Sequence, residues 1–181
     1  MPLPQKQTYT IDYIYSLPEG QRAELIDGQV YAMAPPNVLH QRIVTRLSSA
    51  INVYIQKKHG SCEVFVAPFA VFLDADDRNY VEPDISVICD RERLDAQGCH
   101  GAPDLVIEVT SPSTRRVDYG VKLFKYRTAG VREYWIINPF KRTVNIFDFG
   151  YDENSGVYVF DDDIPSCIYP DLTVNIADLL A

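Results

Sequence analysis

The sequence lacks the features that would direct a chain into or across a membrane. No run approaches the roughly eighteen uncharged apolar residues that a membrane helix needs. The opening residues MPLPQKQTYT also lack the basic and then apolar order of a signal peptide. These absences predict a cytoplasmic protein.

Cysteine is sparse and scattered. No two of the cysteines form a CxxC pair, which excludes a zinc knuckle and a thioredoxin-type motif. The pattern predicts reduced, mostly buried thiols at every position, namely Cys62, Cys89, Cys99 and Cys167.

Positive charge is also in short supply. The chain has 17 Lys and Arg against 25 Asp and Glu, a formal net charge of -8. This balance argues against sequence-independent binding to nucleic acid over a broad surface, but it leaves room for a local basic patch. One compact basic cluster could contact a phosphate backbone or form a solvated basic face, and its members are Arg115, Arg116, Lys122 and Lys125.

The length of the chain predicts a single domain. With 181 residues and 46% hydrophobic composition, it can bury one real core and is short for two. The predicted parts of residues 1–181 are an N-terminal helix and hairpin (9–34), a core (37–138) and C-terminal strands (141–181).

Turn signals and periodicity predict the first elements. The segment Thr10 to Leu17 predicts a short helix, and Ala23 to Met33 predicts a hairpin around Asp27-Gly28. A longer helix should end at Gly60, because apolar residues recur at helical spacing before it. This stripe consists of Leu39, Ile43, Leu47, Ile51 and Tyr54 or Ile55.

Three strand-like segments follow, at Cys62–Leu73, Glu82–Cys89 and Asp104–Thr110. A second amphipathic helix should then end at Gly130. Its apolar stripe consists of Val117, Val121, Phe124 and Thr128. The run VREYWIIN predicts a buried strand, and further strands should lie at Thr143–Phe149 and Tyr158–Phe160. The order helix, strand, strand, strand, helix, strand predicts an α/β (α+β) fold, a mixed β-sheet flanked by helices.

One carboxylate interrupts an apolar run. Glu108 lies in the middle of DLVIEVT, in a strand that should be covered on both faces, where an unpaired carboxylate is costly. Asp84, in the strand VEPDISVI, is its expected partner, because strands about 4.8 Å apart would bring both carboxylates to one cation. Asp104 would lie about 13 Å from Glu108 along the same strand. We therefore expect Asp104 to be a strand-start or turn residue.

Two carboxylates with a backbone carbonyl and waters suit Mg²⁺ or Mn²⁺ rather than zinc. Such an ion can activate water for attack on a phosphodiester. Lys122 is the candidate cation beside that water, and it shares an i, i+4 spacing with Asp118 and Tyr126. The alternative is a surface Asp118–Lys122 ion pair with Tyr126 half buried.

Several segments in order carry a family resemblance. They are ELIDGQV, VEPDISVI, APDLVIEVTSPST, the spaced Asp118, Lys122 and Tyr126, and GVREYWIINP. Over roughly Tyr9 to Leu180 the chain resembles the Uma2 family of restriction-endonuclease-like proteins. That family is similar in fold to PD-(D/E)XK nucleases, whose core has the element order predicted above.

The resemblance also implies residue roles. It implies that the first motif acid is Asp84 and the second is Glu108. The motif lysine would fall at Thr110, which carries no positive charge, so the resemblance implies that Lys122 replaces it. Glu24 matches a further family acid and is either a metal or water contact or an acidic residue ahead of a hairpin.

The remaining candidates concern substrate binding. The predicted nucleic-acid contacts are Arg115, Arg116, Lys125 and His40. His40 opens the first long helix and either borders the metal site or is a partly exposed helix-start residue. Ser111 and Ser113 are expected to cap the next helix rather than act as nucleophiles, because no histidine and acid are positioned with them.

These observations predict a Mg²⁺- or Mn²⁺-dependent endonuclease that hydrolyses DNA phosphodiester bonds. Asp84, Glu108 and the Val109 carbonyl would hold the ion, Lys122 would orient water, and Glu24 and Tyr126 would support them. A homodimer could form through the aromatic C-terminal segment. The alternative is a nuclease-fold protein that binds nucleic acid or a protein partner without cutting, which the acidic composition and Thr110 favour.

Overall fold

The structure is a computed structural model that describes residues 7–181. The helices are α1 (Ile11–Tyr15), α2 (Val38–Lys57), α3 (Leu123–Ala129) and α4 (Ile176–Leu180). The first six strands are β1 (Ala23–Ile26), β2 (Gln29–Ala32), β3 (Glu63–Val66), β4 (Val71–Phe72), β5 (Ile85–Ile88) and β6 (Cys99–His100). The other strands are β7 (Leu105–Val109), β8 (Glu133–Asn138), β9 (Thr143–Asp148), β10 (Gly156–Val159), β11 (Ile164–Pro165) and β12 (Thr173–Val174).

A six-stranded mixed sheet forms the centre of the fold, in the order β10-β9-β8-β7-β5-β3. Strands β7 and β8 run parallel, and the other neighbouring pairs are antiparallel. The chain crosses from β7 to β8 through a helical segment, as parallel neighbours require. The predicted mixed sheet with flanking helices is confirmed.

Helix α2 covers one face of this sheet. The predicted apolar stripe is largely buried, at Ile43, Leu47, Ile51 and Ile55, whereas Leu39 remains exposed. These residues pack with inward-facing strand residues in one core, including Ile85, Ile107 and Trp135. On the opposite face a second core contains Ile26, Tyr126, Tyr134 and Ile136.

The hairpin between β1 and β2 forms at the predicted Asp27-Gly28 turn. Both turn residues have positive φ, 48° and 73°, as a type I′ turn requires. The hairpin is tied to the following loop because Leu25 exchanges backbone hydrogen bonds with Tyr80. This tie brings β1 beside the segment that leads into β5.

The predicted strand from Cys62 to Leu73 is wrong in extent. It is divided into β3, which joins the central sheet, and β4, which pairs in parallel with β6. Pro68 lies between the two strands, and proline has no backbone N–H for a strand ladder.

The prediction of reduced thiols is wrong for two cysteines. Cys62 and Cys89 form a disulfide, whereas Cys99 and Cys167 are free. In the β3–β5 register Glu63 lies opposite Ile88, so the next residues outward are Cys62 and Cys89. The cysteines are 27 residues apart, and only the strand register brings them together.

The C-terminal segment closes the α2 side of the sheet with β11, β12 and α4. The buried carboxylate of Glu133 holds this segment by accepting hydrogen bonds from Trp135 Nε1 (2.6 Å) and Ser166 Oγ (2.8 Å). It also accepts from the backbone N–H groups of Cys167 (2.9 Å) and Ile168 (3.0 Å).

No helix within residues 7–181 is long and apolar enough to span a membrane. The expectation of a cytoplasmic protein also rests on the first residues, and residues 1–6 lie outside the described part.

Candidate active site

The register of two strands brings Asp84 and Glu108 together. Ile85 of β5 lies opposite Ile107 of β7, so one residue further along Asp84 lies opposite Glu108. Directly opposed residues project from the same face of a sheet, with Cβ atoms about 5 Å apart. The backbone N–H of Val109 donates to Asp84 Oδ2 at 2.8 Å, which fixes this carboxylate at the end of β7.

Asp104 has a different role from Asp84. Its Oδ2 accepts from the Cys89 N–H at 2.8 Å, and its Oδ1 lies 3.2 Å from Arg132 Nη1. Asp104 therefore ties the start of β7 to neighbouring segments, in line with a strand-start role.

Lys122 lies at the centre of the acidic cluster. Its Nζ is 2.8 Å from Glu108 Oε1, 2.7 Å from Glu24 Oε2 and 3.9 Å from Asp118 Oδ1. All four side chains are nearly completely buried. The surface alternative for the Asp118–Lys122 pair is therefore wrong.

Two further contacts hold the acids in place. Tyr126 is fully buried, and its hydroxyl donates to Glu108 Oε1 at 2.8 Å. Glu24 Oε1 accepts from the backbone N–H of Glu82 at 3.1 Å. Glu24 thus connects β1 to the segment before β5, while both of its oxygens accept from Lys122 Nζ, at 2.9 Å (Oε1) and 2.7 Å (Oε2).

The helical segment that carries Lys122 buries the face opposite to the one that its apolar stripe predicts. The predicted apolar stripe is partly exposed, with Phe124 at 67% and Val121 at 36% exposure. The buried face instead carries Asp118, Lys122 and Tyr126. The acids at the site supply partners for these polar groups, so burying them against the sheet is favourable.

Residues Val117–Lys122 form a π-helical turn that continues into α3. Such wide turns are rare and are often found at functional sites. The helix ends at Gly130, whose φ of 95° is left-handed, as predicted for a residue just past a helix end.

Negative charge exceeds positive charge at this site. Glu24, Glu108 and Asp118 surround the single ammonium group of Lys122, and Asp84 lies beside Glu108 on the neighbouring strand. Burial raises the pKa of Glu108 well above the usual carboxyl range; Lys122 opposes this shift, and the neighbouring carboxylates add to it. Burial also raises the pKa of Asp118.

The side chain of Lys122 is protonated and positively charged. Burial lowers the pKa of Lys122, but the charges of Glu108, Glu24 and Asp118 outweigh burial and raise it above the ordinary lysine value. Burial raises the pKa of Tyr126 well above the usual tyrosine value, so its hydroxyl remains a donor to Glu108.

The donor set fits a hard divalent cation with few protein ligands. Among residues 7–181, no group of three or more His, Cys, Asp or Glu side chains could hold a metal ion. Mg²⁺, however, is commonly bound by one or two carboxylates with waters and phosphates. The contacts from other described residues reach Asp84 Oδ2 and Glu108 Oε1, which leaves the second oxygen of each carboxylate for a cation.

The predicted nucleic-acid contacts do not lie together. His40 Nε2 is 3.1 Å from Asp84 Oδ2, so His40 borders the acid pair. Lys125 is largely buried between Asp27 and Asp74, each 2.6 Å away. Arg115 and Arg116 are exposed, and the Arg115 guanidinium lies over the Tyr119 ring.

Thr110 and the serines that follow it lie at the end of β7. Ser111 Oγ accepts from the Thr114 N–H at 3.2 Å, and Thr114 Oγ1 accepts from the Ser111 N–H at 3.0 Å. This exchange caps the start of the helical segment, in line with a capping role for Ser111. Asp118 is the site residue that the predicted set omitted, although its i, i+4 spacing from Lys122 was a usable signal.

The chain is a mixed α/β protein with a buried acid–lysine cluster at the end of β7. Its fold is similar to that of a crystal structure titled as "a putative nuclease belonging to DUF820" from Anabaena variabilis ATCC 29413. The TM-score is 0.75 at 23% identity, covering 94% of this chain and 96% of that one.

Sequence comparisons give the family. The Uma2 family, described as "Putative restriction endonuclease", matches residues 10–177. A relative named "Uncharacterized protein slr1290", from Synechocystis sp., is 31% identical over 131 residues, which are 71% of this chain and 67% of the relative. The chain belongs to the Uma2 family.

Proposed function

We propose that this protein is a metal-dependent endonuclease that hydrolyses phosphodiester bonds of DNA. The observation that carries the proposal is the excess of buried carboxylate over lysine at the end of β7. Buried charge is tolerated when it is paired or bound to a cation. A divalent cation would balance the excess, and the family description supports the reaction class.

Asp84, Glu108 and the carbonyl of Val109 would hold Mg²⁺ or Mn²⁺. When bound, such an ion lowers the pKa of water and polarises a phosphoryl oxygen. Lys122 supplies a fixed positive charge beside Glu108 that can orient a nucleophilic water or stabilise charge on the phosphate. Glu24 and Tyr126 keep Lys122 and Glu108 in position through the contacts described above.

The arrangement explains how Thr110 can occupy the position of the motif lysine. The ammonium group reaches Glu108 from the helical segment instead of from β7. Lys122 pairs with Glu108, Glu24 and Asp118, and it forms no ion pair with Asp84. We therefore propose that Lys122 acts on the Glu108 side of the bound ion.

The test is cleavage of supercoiled and linear DNA with Mg²⁺ or Mn²⁺ as the added ion. Glu108→Gln and Asp84→Asn should each abolish cleavage while thermal unfolding stays cooperative. Asp104→Asn is the matched control, because Asp104, like Asp84, directly follows a proline but lies outside the site. Full cleavage by both site variants would contradict the assignment.

A second candidate function is binding of nucleic acid or a protein partner without cleavage. The contacts of Lys122 with two carboxylates favour it, because a fully paired lysine needs no ion to be satisfied. Calorimetry with Mg²⁺ and Mn²⁺ separates the two functions. Absence of binding by either ion would favour the second.

We further propose that the protein acts as a homodimer. Cleavage of both strands of a duplex is commonly performed by two copies of a site. The proposed interface uses the exposed part of the aromatic C-terminal segment, where Tyr151 is 70% exposed. Phe160 cannot contribute, because it is buried in the core. Light scattering of the full chain measures the oligomeric state directly.

A further inference from the structure

His40 is the one histidine that contacts the acid pair. It is the third residue of α2, and its backbone N–H donates to the N-cap oxygen of Asn37 at 2.9 Å. The ring reaches from the helix start to the end of β5, where Nε2 lies 3.1 Å from Asp84 Oδ2. Both side chains are mostly covered, at 15% and 16% exposure.

The other ring nitrogen determines which tautomer fits. His40 Nδ1 is buried, and no described residue within 7–181 forms a hydrogen bond with it. A proton on Nδ1 would be a buried donor without an acceptor, whereas a proton on Nε2 points at a carboxylate oxygen. The contacts therefore favour the proton on Nε2.

In this tautomer Nε2 carries a proton and offers Asp84 a donor rather than offering a cation a lone pair. A histidine that binds a metal normally donates its other ring N–H to an acceptor. His40 has no such acceptor among the described residues. The contact of His40 with the acid pair is therefore its Nε2 bond to Asp84.

We propose that His40 is a positioning residue that aims Asp84 at the bound cation, an inference that rests on the proposed function. His40 and the Val109 N–H both approach Oδ2 of Asp84. The main chain of Asp84 is also held, because its carbonyl accepts from the Ala67 N–H at 3.2 Å. With Oδ2 occupied on two sides, Oδ1 is the oxygen that Asp84 presents to a ligand.

The experiment is calorimetric titration with Mn²⁺ of the full chain and three His40 variants. His40→Ala should weaken Mn²⁺ binding about 10–100-fold, the usual effect of removing a group that orients a metal ligand. His40→Gln should restore binding close to the unmodified level, because the glutamine amide can place an N–H where Nε2 lies. His40→Asn should bind as weakly as alanine, because its shorter amide does not reach Asp84.

The matched control is His100→Ala. His100 Nε2 also lies 3.0 Å from an aspartate, Asp95, but this pair is about half exposed and away from the acid pair. Its removal should leave Mn²⁺ binding unchanged. Thermal unfolding of every variant checks that the fold persists. If His40→Ala destabilises the chain, the comparison of Mn²⁺ binding by His40→Gln and His40→Asn still tests the proposal.

The outcomes separate this inference from the proposed function. If the unmodified protein binds Mn²⁺ and His40→Ala binds equally well, the positioning role is overturned and the proposed function stands. Equal weakness of the Gln and Asn variants also overturns it. If the unmodified protein binds no Mn²⁺, the proposed function fails and the inference fails with it.

Discussion

The Nζ atom of Lys122 lies 2.8 Å from Oε1 of Glu108, inside a site that is almost closed to solvent. Glu24 lies on the other side of the same ammonium group at 2.7 Å. The ammonium group of Lys122 thus joins the helical crossover to the β1–β2 hairpin and to the central sheet. This relationship makes the site a determinant of stability as well as of the proposed chemistry.

Removal of the Lys122 charge should destabilise the protein strongly. Lys122→Met leaves the buried carboxyl groups of Glu24 and Glu108 without the opposite charge that pairs them, and breaking a buried pair in this way costs about 3–5 kcal/mol. Urea denaturation measures the free energy of unfolding. Lys141→Met is the control, because Lys141 is exposed and its loss should cost less than about 0.5 kcal/mol. Equal effects of the two changes would show that Lys122 is not held as described.

The metal-free protein should lose stability with rising pH through Glu108. Burial raises the pKa of Glu108 above its ordinary value of 4.5, so the folded state keeps a proton that the unfolded chain releases. This contribution is fully present below the unfolded pKa and is lost as pH rises toward the folded pKa. Glu108→Gln cannot ionise, so its unfolding free energy should fall less between acid and neutral pH in the presence of a chelator.

The control for the pH experiment is Glu153→Gln, because Glu153 is exposed. Its pH profile should follow that of the unmodified protein. A Glu108→Gln profile that is also unchanged would contradict the raised pKa of Glu108.

Glu133 should be essential for the C-terminal segment. Glu133→Ala leaves the donors of Trp135, Ser166, Cys167 and Ile168 without their acceptor. The donors of Trp135 and Ser166 are buried, and each unpaired buried donor costs about 1–3 kcal/mol, so the loss should be at least about 2 kcal/mol. Hydrogen exchange should show early opening of residues 166–180, which Glu153→Ala should not produce. Uniform destabilisation without this local opening would contradict the role of Glu133.

The disulfide should contribute measurably to stability. Cys62 and Cys89 are 27 residues apart in the sequence. In the chain-entropy model, a disulfide that closes a loop of this length stabilises the folded state by about 3–4 kcal/mol. A reductant should therefore lower the unfolding midpoint of the unmodified protein. The Cys62→Ser, Cys89→Ser double variant should be insensitive to reductant. Alkylation and mass spectrometry should find two modified cysteines without reductant and four with it.

Arg115 and Arg116 should contribute to DNA binding without being part of the acid cluster. Both are exposed at the start of the helical segment, next to the capping residues at the end of β7. If each contacts one phosphate, each alanine substitution should weaken binding similarly for all DNA sequences and lower the salt slope by about one. Fluorescence anisotropy at several salt concentrations measures both quantities. The exposed Arg91→Ala serves as the control, and an unchanged slope in the Arg115 and Arg116 variants would exclude these contacts.

Much of the fold follows from local patterns. The Asp27-Gly28 turn, the helix before Gly60 and the strand that contains Glu108 each have a signal within a few residues. The predicted extent of the strand from Cys62 to Leu73 is wrong because Pro68, within this largely apolar run, interrupts the hydrogen-bonded ladder. The paired state of Cys62 was missed because sequence spacing carries no information about strand register.

The need of Glu108 for a partner is evident from its strand alone, because a carboxylate in an apolar strand is costly to bury unpaired. The local sequence also rules out Asp104 as that partner, since distance along one strand is fixed by backbone geometry. The burial of the polar face of the Lys122 segment, in contrast, depends on tertiary packing. Which face of a helix is buried depends on what the opposing surface offers, and here that surface offers Glu24 and Glu108 as partners. The helix therefore buries its charge and exposes Phe124, against the prediction from the apolar spacing of Val117, Val121 and Phe124.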